Sequence, residues 1–353
     1  MRDDARLKLI QEIEAKRGSQ VVVYVTSYRP GQYGAGSVES SDVRIIEKHL
    51  QALGLDKSGD LDLFICTPGG LAIVPWALVT LIREYLGKRR FATLVPAKAM
   101  SAGTKICLGA DEIIMGPGGS LGPIDTQYGY MSVEDIEAYL AVARRWSVLS
   151  WLVGNKTFAQ LTEWMPPTLI GRLHRARSEG ERVAMRLLGS RRRPLSRNTN
   201  RRISKYLLNQ VGLHGQSIRR KEARSIGMSF VRDAENAGVS GHMAQLFNAY
   251  EELMALDRPF ARPRLPDPVM ESNPDLVDFD VTGEHTMDIP AAIVESTARL
   301  DIGYYAYDHR FWSDKPDRPD LPAGAPAEAP ADAEEGQNLA GPQLSVHWRR
   351  DDD

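Results

Sequence analysis

Two stretches decide the fold: LDLFICTPGG at 61–70 and FATLVPAKAMSAGTKICLGADEIIMGPGGSLGPID at 91–125. LDLFICT (61–67), FATLVP (91–96) and DEIIMGP (111–117) are continuous apolar runs, the pattern of strands buried on both faces. Helical spacing follows the first across 71–86 and the second across 99–110. Working outward, QVVVYVTSY (20–28) is another buried strand, and RPGQYGAGSVES (29–40) is a Gly-rich loop. Asp42 opens a helix with Val43, Ile46, Leu50 and Leu53 on one face, stopped at Gly54. Residues 1–18 form an amphipathic helix through Leu7, Ile10 and Ile13, closed by Gly18. Strand and helix alternate with short connections, so the expected class is α/β with a parallel sheet core.

From 131 to about 260 the period is helical, with helices expected at 133–152, 157–164 and 168–189, the first opened by Ser132 and Asp135 as a capping box. SIGMSFV (225–231) interrupts as a turn and strand. Pro259, Pro263, Pro266 and Pro268 mark a linker, and 276–312 reads as a small β unit or docking arm. Residues 313–342 hold six prolines among Ala, Glu and Asp, so the tail to 353 is expected to be disordered. The domain reading is therefore 1–260 (core 20–128, helical part 131–260), 261–312 and 313–353.

The chain has 353 residues and a formal charge of −2, so its overall charge selects no polyanionic partner. Two cysteines, Cys66 and Cys107, exclude a disulfide framework and a four-cysteine zinc site, and both sit in apolar runs as small buried hydrophobes. The N-terminus lacks the apolar stretch of a signal peptide, and no apolar run approaches the ~18 residues of a membrane span. A cytoplasmic protein is the expectation. One segment departs from neutrality: 172–205 carries 12 Lys/Arg against Glu179 and Glu181. It reads as a solvated face or as a surface for an acidic partner or nucleic acid; few aromatics are there to stack bases.

CTPGG (66–70) and KAMSAGT (98–104) each fall where a buried strand gives way to a helix, the carboxyl edge at which open α/β sheets bind ligands. Gly69 and Gly70 permit a sharp turn with bare N–H groups that can donate to an oxyanion. Ser101 opens the next helix among small neighbours that let a carbonyl approach its hydroxyl. Alone, such a serine is an ordinary helix cap.

In this order the elements resemble the Clp/crotonase-fold serine peptidases, and most closely the serine dehydrogenase proteinase family, kin to signal peptide peptidase A. The resemblance covers about 20–128, with an echo at SIRRKEARSIGMSFV (217–231). It implies Ser101 as nucleophile, Gly69 and Gly70 as oxyanion hole, and SLGPID (120–125) lining the cleft. The implied reaction is peptide hydrolysis through an acyl-enzyme, with a peptide or protein substrate, a homo-oligomeric assembly and no metal or organic cofactor. A Clp-type histidine is missing, because no histidine occurs between His49 and His174.

The resemblance to signal peptide peptidase A implies a lysine as the general base. Lys156, in the apolar WLVGNKTFAQL and 55 residues beyond Ser101, is similar to the lysine segment of bacterial signal peptide peptidases and is the provisional choice. Lys105 stands one helical turn after Ser101, and Lys98 three residues before it. His214 and Asp125 remain as further candidates. Two other functions compete: a non-catalytic Clp-fold scaffold binding partners through 172–205, and a crotonase-type enzyme acting on an acyl thioester.

Overall fold

The computed structural model describes residues 3–29, 36–125, 127–128, 131–132, 136, 138, 167–209, 216–258, 286–308 and 346–350. Strands β1 (Gln20–Thr26), β2 (Leu61–Cys66), β3 (Phe91–Val95), β5 (Glu112–Met115) and β9 (Val231–Asp233) run parallel in that spatial order. Successive side chains on a strand point to opposite faces. Val22, Tyr24, Leu63 and Ile65 pack with α2 (Ser40–Ala52), α3 (Val74–Leu86) and α4 (Ala102–Leu108). The helices α5 (Pro167–Gly189), α6 (Arg197–Asn209) and α7 (Arg220–Ser225) close that core through Leu187, Leu207 and Ala223. Val21, Val23, Val25, Phe64 and Cys66 face the other way, against α1 (Asp4–Arg17) and α8 (Ser240–Leu253). The apolar runs are continuous because both faces are covered.

Most elements stand where the periodicity puts them, and the departures have local causes. Helix α2 begins at Ser40, two residues before Asp42. Asp42 sits in the first turn instead, where its carboxylate accepts the Glu39 N–H at 2.8 Å and the Tyr24 hydroxyl. Helix α3 starts at Val74 rather than 71, because the Leu71 N–H is bound to the Val38 carbonyl at 2.9 Å. Helix α4 is shorter than 99–110, because Lys98–Ala99 forms β4 and pairs with β6 (Ser120–Leu121). Two short strands, β7 (Gln127–Tyr128) and β8 (Met131–Ser132), pair antiparallel. The expected helices at 133–152 and 157–164 lie outside the described residues apart from 136 and 138, which are helical.

The C-terminal part joins the main sheet. Strand β10 (Thr286–Glu295) pairs antiparallel with β1, β11 (Leu300–Asp308) with β10, and β12 (Val346–Arg350) with β11. The 276–312 segment thus supplies strands to the edge that β1 would otherwise expose, which blunts that edge against foreign pairing. Residues 346–350, expected within a disordered tail, form β12 instead. Trp348 packs against the core, and its indole N–H donates to Ser41 Oγ at 3.4 Å. The Pro-rich stretches at 259–285 and 309–345 lie outside the described residues.

A buried polar cluster fastens β10 to the helices. Glu295, fully buried, accepts from Arg6 Nε at 3.0 Å and from the Tyr250 hydroxyl, tying α1, α8 and β10 together. Removing one partner of a buried ion pair strands the other charge. Glu295→Ala should therefore cost about 3–5 kcal/mol, measured as a lowered urea midpoint.

Candidate active site at the Ser101 turn

Ser101 is half-buried and has φ 47° and ψ −107°, a left-handed backbone that non-glycine residues rarely adopt. Such strain costs about 1–3 kcal/mol and persists where the surroundings enforce it. Here the enforcement is visible. The Thr67 N–H donates to the Lys98 carbonyl at 2.9 Å and the Met100 N–H to the Thr67 carbonyl at 3.0 Å. The chain entering Ser101 is thereby pinned to the end of β2. Helix α4 then starts at once, with the Lys105 N–H on the Ser101 carbonyl at 3.0 Å.

The glycine turn is built against this serine. Gly69 has φ 118°, and a Cβ placed on it would lie 2.8 Å from the Ser101 Cβ. Gly70 has φ 155°, and a Cβ there would lie 2.2 Å from the Val38 nitrogen. Val38 grips the turn from the far side, donating to the Gly69 carbonyl at 2.7 Å. The Gly69 N–H points to Thr67 Oγ1 at 3.2 Å. Among the described residues, neither the Gly70 nor the Ala102 N–H meets an acceptor. The Ala102 N–H follows Ser101 directly and the Gly70 N–H belongs to the turn packed on it, and free backbone donors near a hydroxyl are what an acyl-transfer site uses.

The lysines separate by face. Lys98 belongs to the α1–α8 side: its Nζ lies 3.5 Å from the Tyr28 ring centroid, and Cys66 and Glu251 are its charged or polar neighbours. Burial lowers its pKa, with Cys66 and Glu251 opposing. Lys105 lies on the helix that Ser101 opens, only 2% exposed. Burial pulls its ammonium down to about 8, against the attraction of Asp125. Lys105 stands four residues after Ser101, one helical turn on, and long helical side chains in general lean toward the preceding turn. Thr104 Oγ1 binds both the N–H and the carbonyl of Gly122, at 2.9 and 3.0 Å, which lays the 120–125 segment along α4 and brings Asp125 to Lys105. Lys156 and His214 lie outside the described residues.

Cys66 and Cys107 are buried and free, and burial pushes their thiols to about 11 and about 12, so neither offers a thiolate. A serine–histidine–aspartate set, not anticipated from sequence, sits at the β10–β11 turn. His49 Nδ1 lies 3.0 Å from Ser296 Oγ and Nε2 lies 3.0 Å from Asp301 Oδ2. His49 and Ser296 are wholly buried and Asp301 is 2% exposed, so no substrate reaches them. They pin the hairpin to α2. No described helix is long and apolar enough to cross a membrane.

Comparison with known proteins bears on the same region. Two curated relatives from Methanocaldococcus jannaschii, the uncharacterized proteins MJ1495 and MJ0137, are 34% identical over 137 residues and 35% over 127. Those alignments cover 38% and 35% of this chain, and 46% and 44% of the relatives, so the matched stretch spans just under half of each. Two mutant structures of the 1510-N membrane-bound stomatin-specific protease, one in complex with a substrate peptide, align at 19% identity. Their TM-scores are 0.36 and 0.35, covering 60% of this chain and 80% and 75% of theirs. The family model that fits spans the glycine turn, Ser101, Lys105 and Asp125: residues 1–144 match the ClpP-like SDH-type serine proteinases, the family that the sequence resembles.

Proposed function

We propose that the chain is a serine peptidase in which Ser101 is the nucleophile, the Gly70 and Ala102 N–H groups form the oxyanion hole, and Lys105 is the general base. The observation that carries this reading is the strained Ser101 backbone held against a glycine turn that has no room for a Cβ. Gly69 serves by that close approach, its own N–H being directed at Thr67. The neutral Lys105 amine takes the hydroxyl proton as Oγ attacks the peptide carbonyl. The tetrahedral intermediate collapses as the C–N bond breaks, and the ammonium returns the proton to the leaving amine. Water, activated by the same lysine, hydrolyses the acyl-enzyme.

Leu71 and Ile73, which follow the turn directly, are 45% and 71% exposed. They offer an apolar surface beside the reacting carbonyl and favour peptides with apolar side chains flanking the cleaved bond. Lys156, in a stretch similar to the lysine segment of signal peptide peptidases, is the competing base, and single substitutions separate the two.

The test is covalent. A fluorophosphonate should add one phosphonyl group to the folded protein, and peptide mapping should place it on Ser101. The adduct should be absent from Ser101→Ala. A folded wild-type protein left unlabelled contradicts the peptidase reading and favours the scaffold.

A further inference from the structure

The catalytic reading leaves the arginine-rich 172–205 segment without a role. Part of it closes a cavity at the other end of the sheet. Arg90, Glu112 and Phe230 stand at the amino ends of β3, β5 and β9, whereas Ser101 and the glycine turn lie at the carboxyl ends. Between these amino ends and Arg191, Arg192 and Arg193 is a space of about 330 Å³, which Arg232 also lines.

The charge in this cavity is unbalanced. Its two carboxylates are already engaged. Asp111 receives Arg83 through both oxygens at 3.0 Å, with the Phe91 and Arg192 N–H groups at 2.9 and 2.7 Å. Glu112 receives Arg17 at 3.3 Å and Arg90 at 3.8 Å. Among the described residues, Arg191, Arg192, Arg193 and Arg232 form no ion pair with a carboxylate. Arg191 is 6% exposed, stacked at 3.5 Å on the Phe230 ring, with Nε and Nη2 on the carbonyls of Ala110 and Asp111, both at 2.9 Å. Its remaining nitrogen, Nη1, is buried with no partner. A buried, unsatisfied guanidinium donor is costly and calls for an acceptor. Burial first, then Arg83 and Arg232, lower the Arg191 pKa to about 10 against the pull of Asp111, which leaves it charged at neutral pH.

We propose that this cavity binds the phosphate group of a small phosphorylated molecule, held by Arg191, Arg192, Arg193 and Arg232. Planar guanidinium forks match phosphate oxygens in pairs. A space near the lower bound of small-molecule pockets admits a phosphate and a compact organic remainder rather than a polymer strand. The aromatic residue present, Phe230, is covered by Arg191 and is not offered to a base.

Calorimetric titration with inorganic phosphate and with pyrophosphate, at ionic strength held constant with chloride, tests this. One saturable site is expected. The double variant Arg192→Ala, Arg193→Ala keeps the buried Arg191 on the Ala110 and Asp111 carbonyls, and should weaken pyrophosphate by about tenfold or more, the loss of one or two charge-assisted bonds. Removing two charges elsewhere on the same segment, Arg172→Ala with Arg175→Ala, should change it by less than about twofold. Ser101→Ala should bind like wild type, so this result stands apart from the peptidase reading. Absence of saturable binding, or equal weakening by both double variants, overturns the proposal; the latter outcome identifies a diffuse surface for long polyanions.

Discussion

Lys105→Met should slow acylation of Ser101 by about 10²–10⁴-fold at pH 8, the usual contribution of a positioned general base. Only the neutral amine accepts a proton, and the folded pKa is about 8. In the wild type, the phosphonylation rate should therefore fall about tenfold per pH unit below 8 and level off above it. Lys105→Met should lose this inflection, whereas Lys156→Ala should keep it. The converse pattern assigns the base to Lys156. Stability moves the opposite way. A lysine whose pKa is depressed on folding costs stability once it is protonated, and that cost accrues as pH falls from the ordinary 10.5 to about 8 and is full below it. At pH 7 the protein carries a nearly buried ammonium, so Lys105→Met should raise stability, by up to about 3 kcal/mol from the size of the shift. A lysine with only a packing role would give neither the slower acylation nor the missing inflection.

Gly69→Ala should reduce kcat/KM by about 10²–10³-fold while the protein stays folded. The added methyl would meet the Ser101 Cβ at 2.8 Å and the Met100 carbonyl at 3.2 Å, so the serine and the turn must part. The left-handed φ of 118° adds strain of its own, and Gly87→Ala provides the control. Gly87 also has a positive φ, 57°, yet a Cβ there meets nothing within 4 Å. Both variants should lose stability, and only Gly69→Ala should lose activity. Equal kinetics in the two variants would sink the idea that close approach of the turn to Ser101 matters.

The parallel core was legible because a strand covered on both faces must be apolar throughout, and QVVVYVT, LDLFIC and FATLV have no other stable placement. Helix starts were less legible. Asp42 is a common capping type, yet here it serves from inside the first turn, bonded to Tyr24 on β1. The short β4 before Ser101 depends on pairing with β6, which 99–110 read alone does not reveal. Joining β10 to β1 requires contacts such as Val23 with Glu295, far apart in the chain, and no local pattern encodes them. At the site, Ser101 and the two glycines were marked by residue type and order. The lysines were not: Lys98 and Lys105 are both close in sequence, and only the sheet, which separates Tyr28 from α4, tells them apart. That the Gly69 N–H is directed at Thr67 Oγ1 was likewise not legible, because it depends on how the turn folds back onto the end of β2.

The most direct measurement is a crystal structure of the phosphonylated protein. Phosphorus should be bonded to Ser101 Oγ, with its free oxygen about 2.7–3.1 Å from both the Gly70 and the Ala102 nitrogens. An adduct oxygen turned to solvent, with both amides left empty, contradicts that assignment.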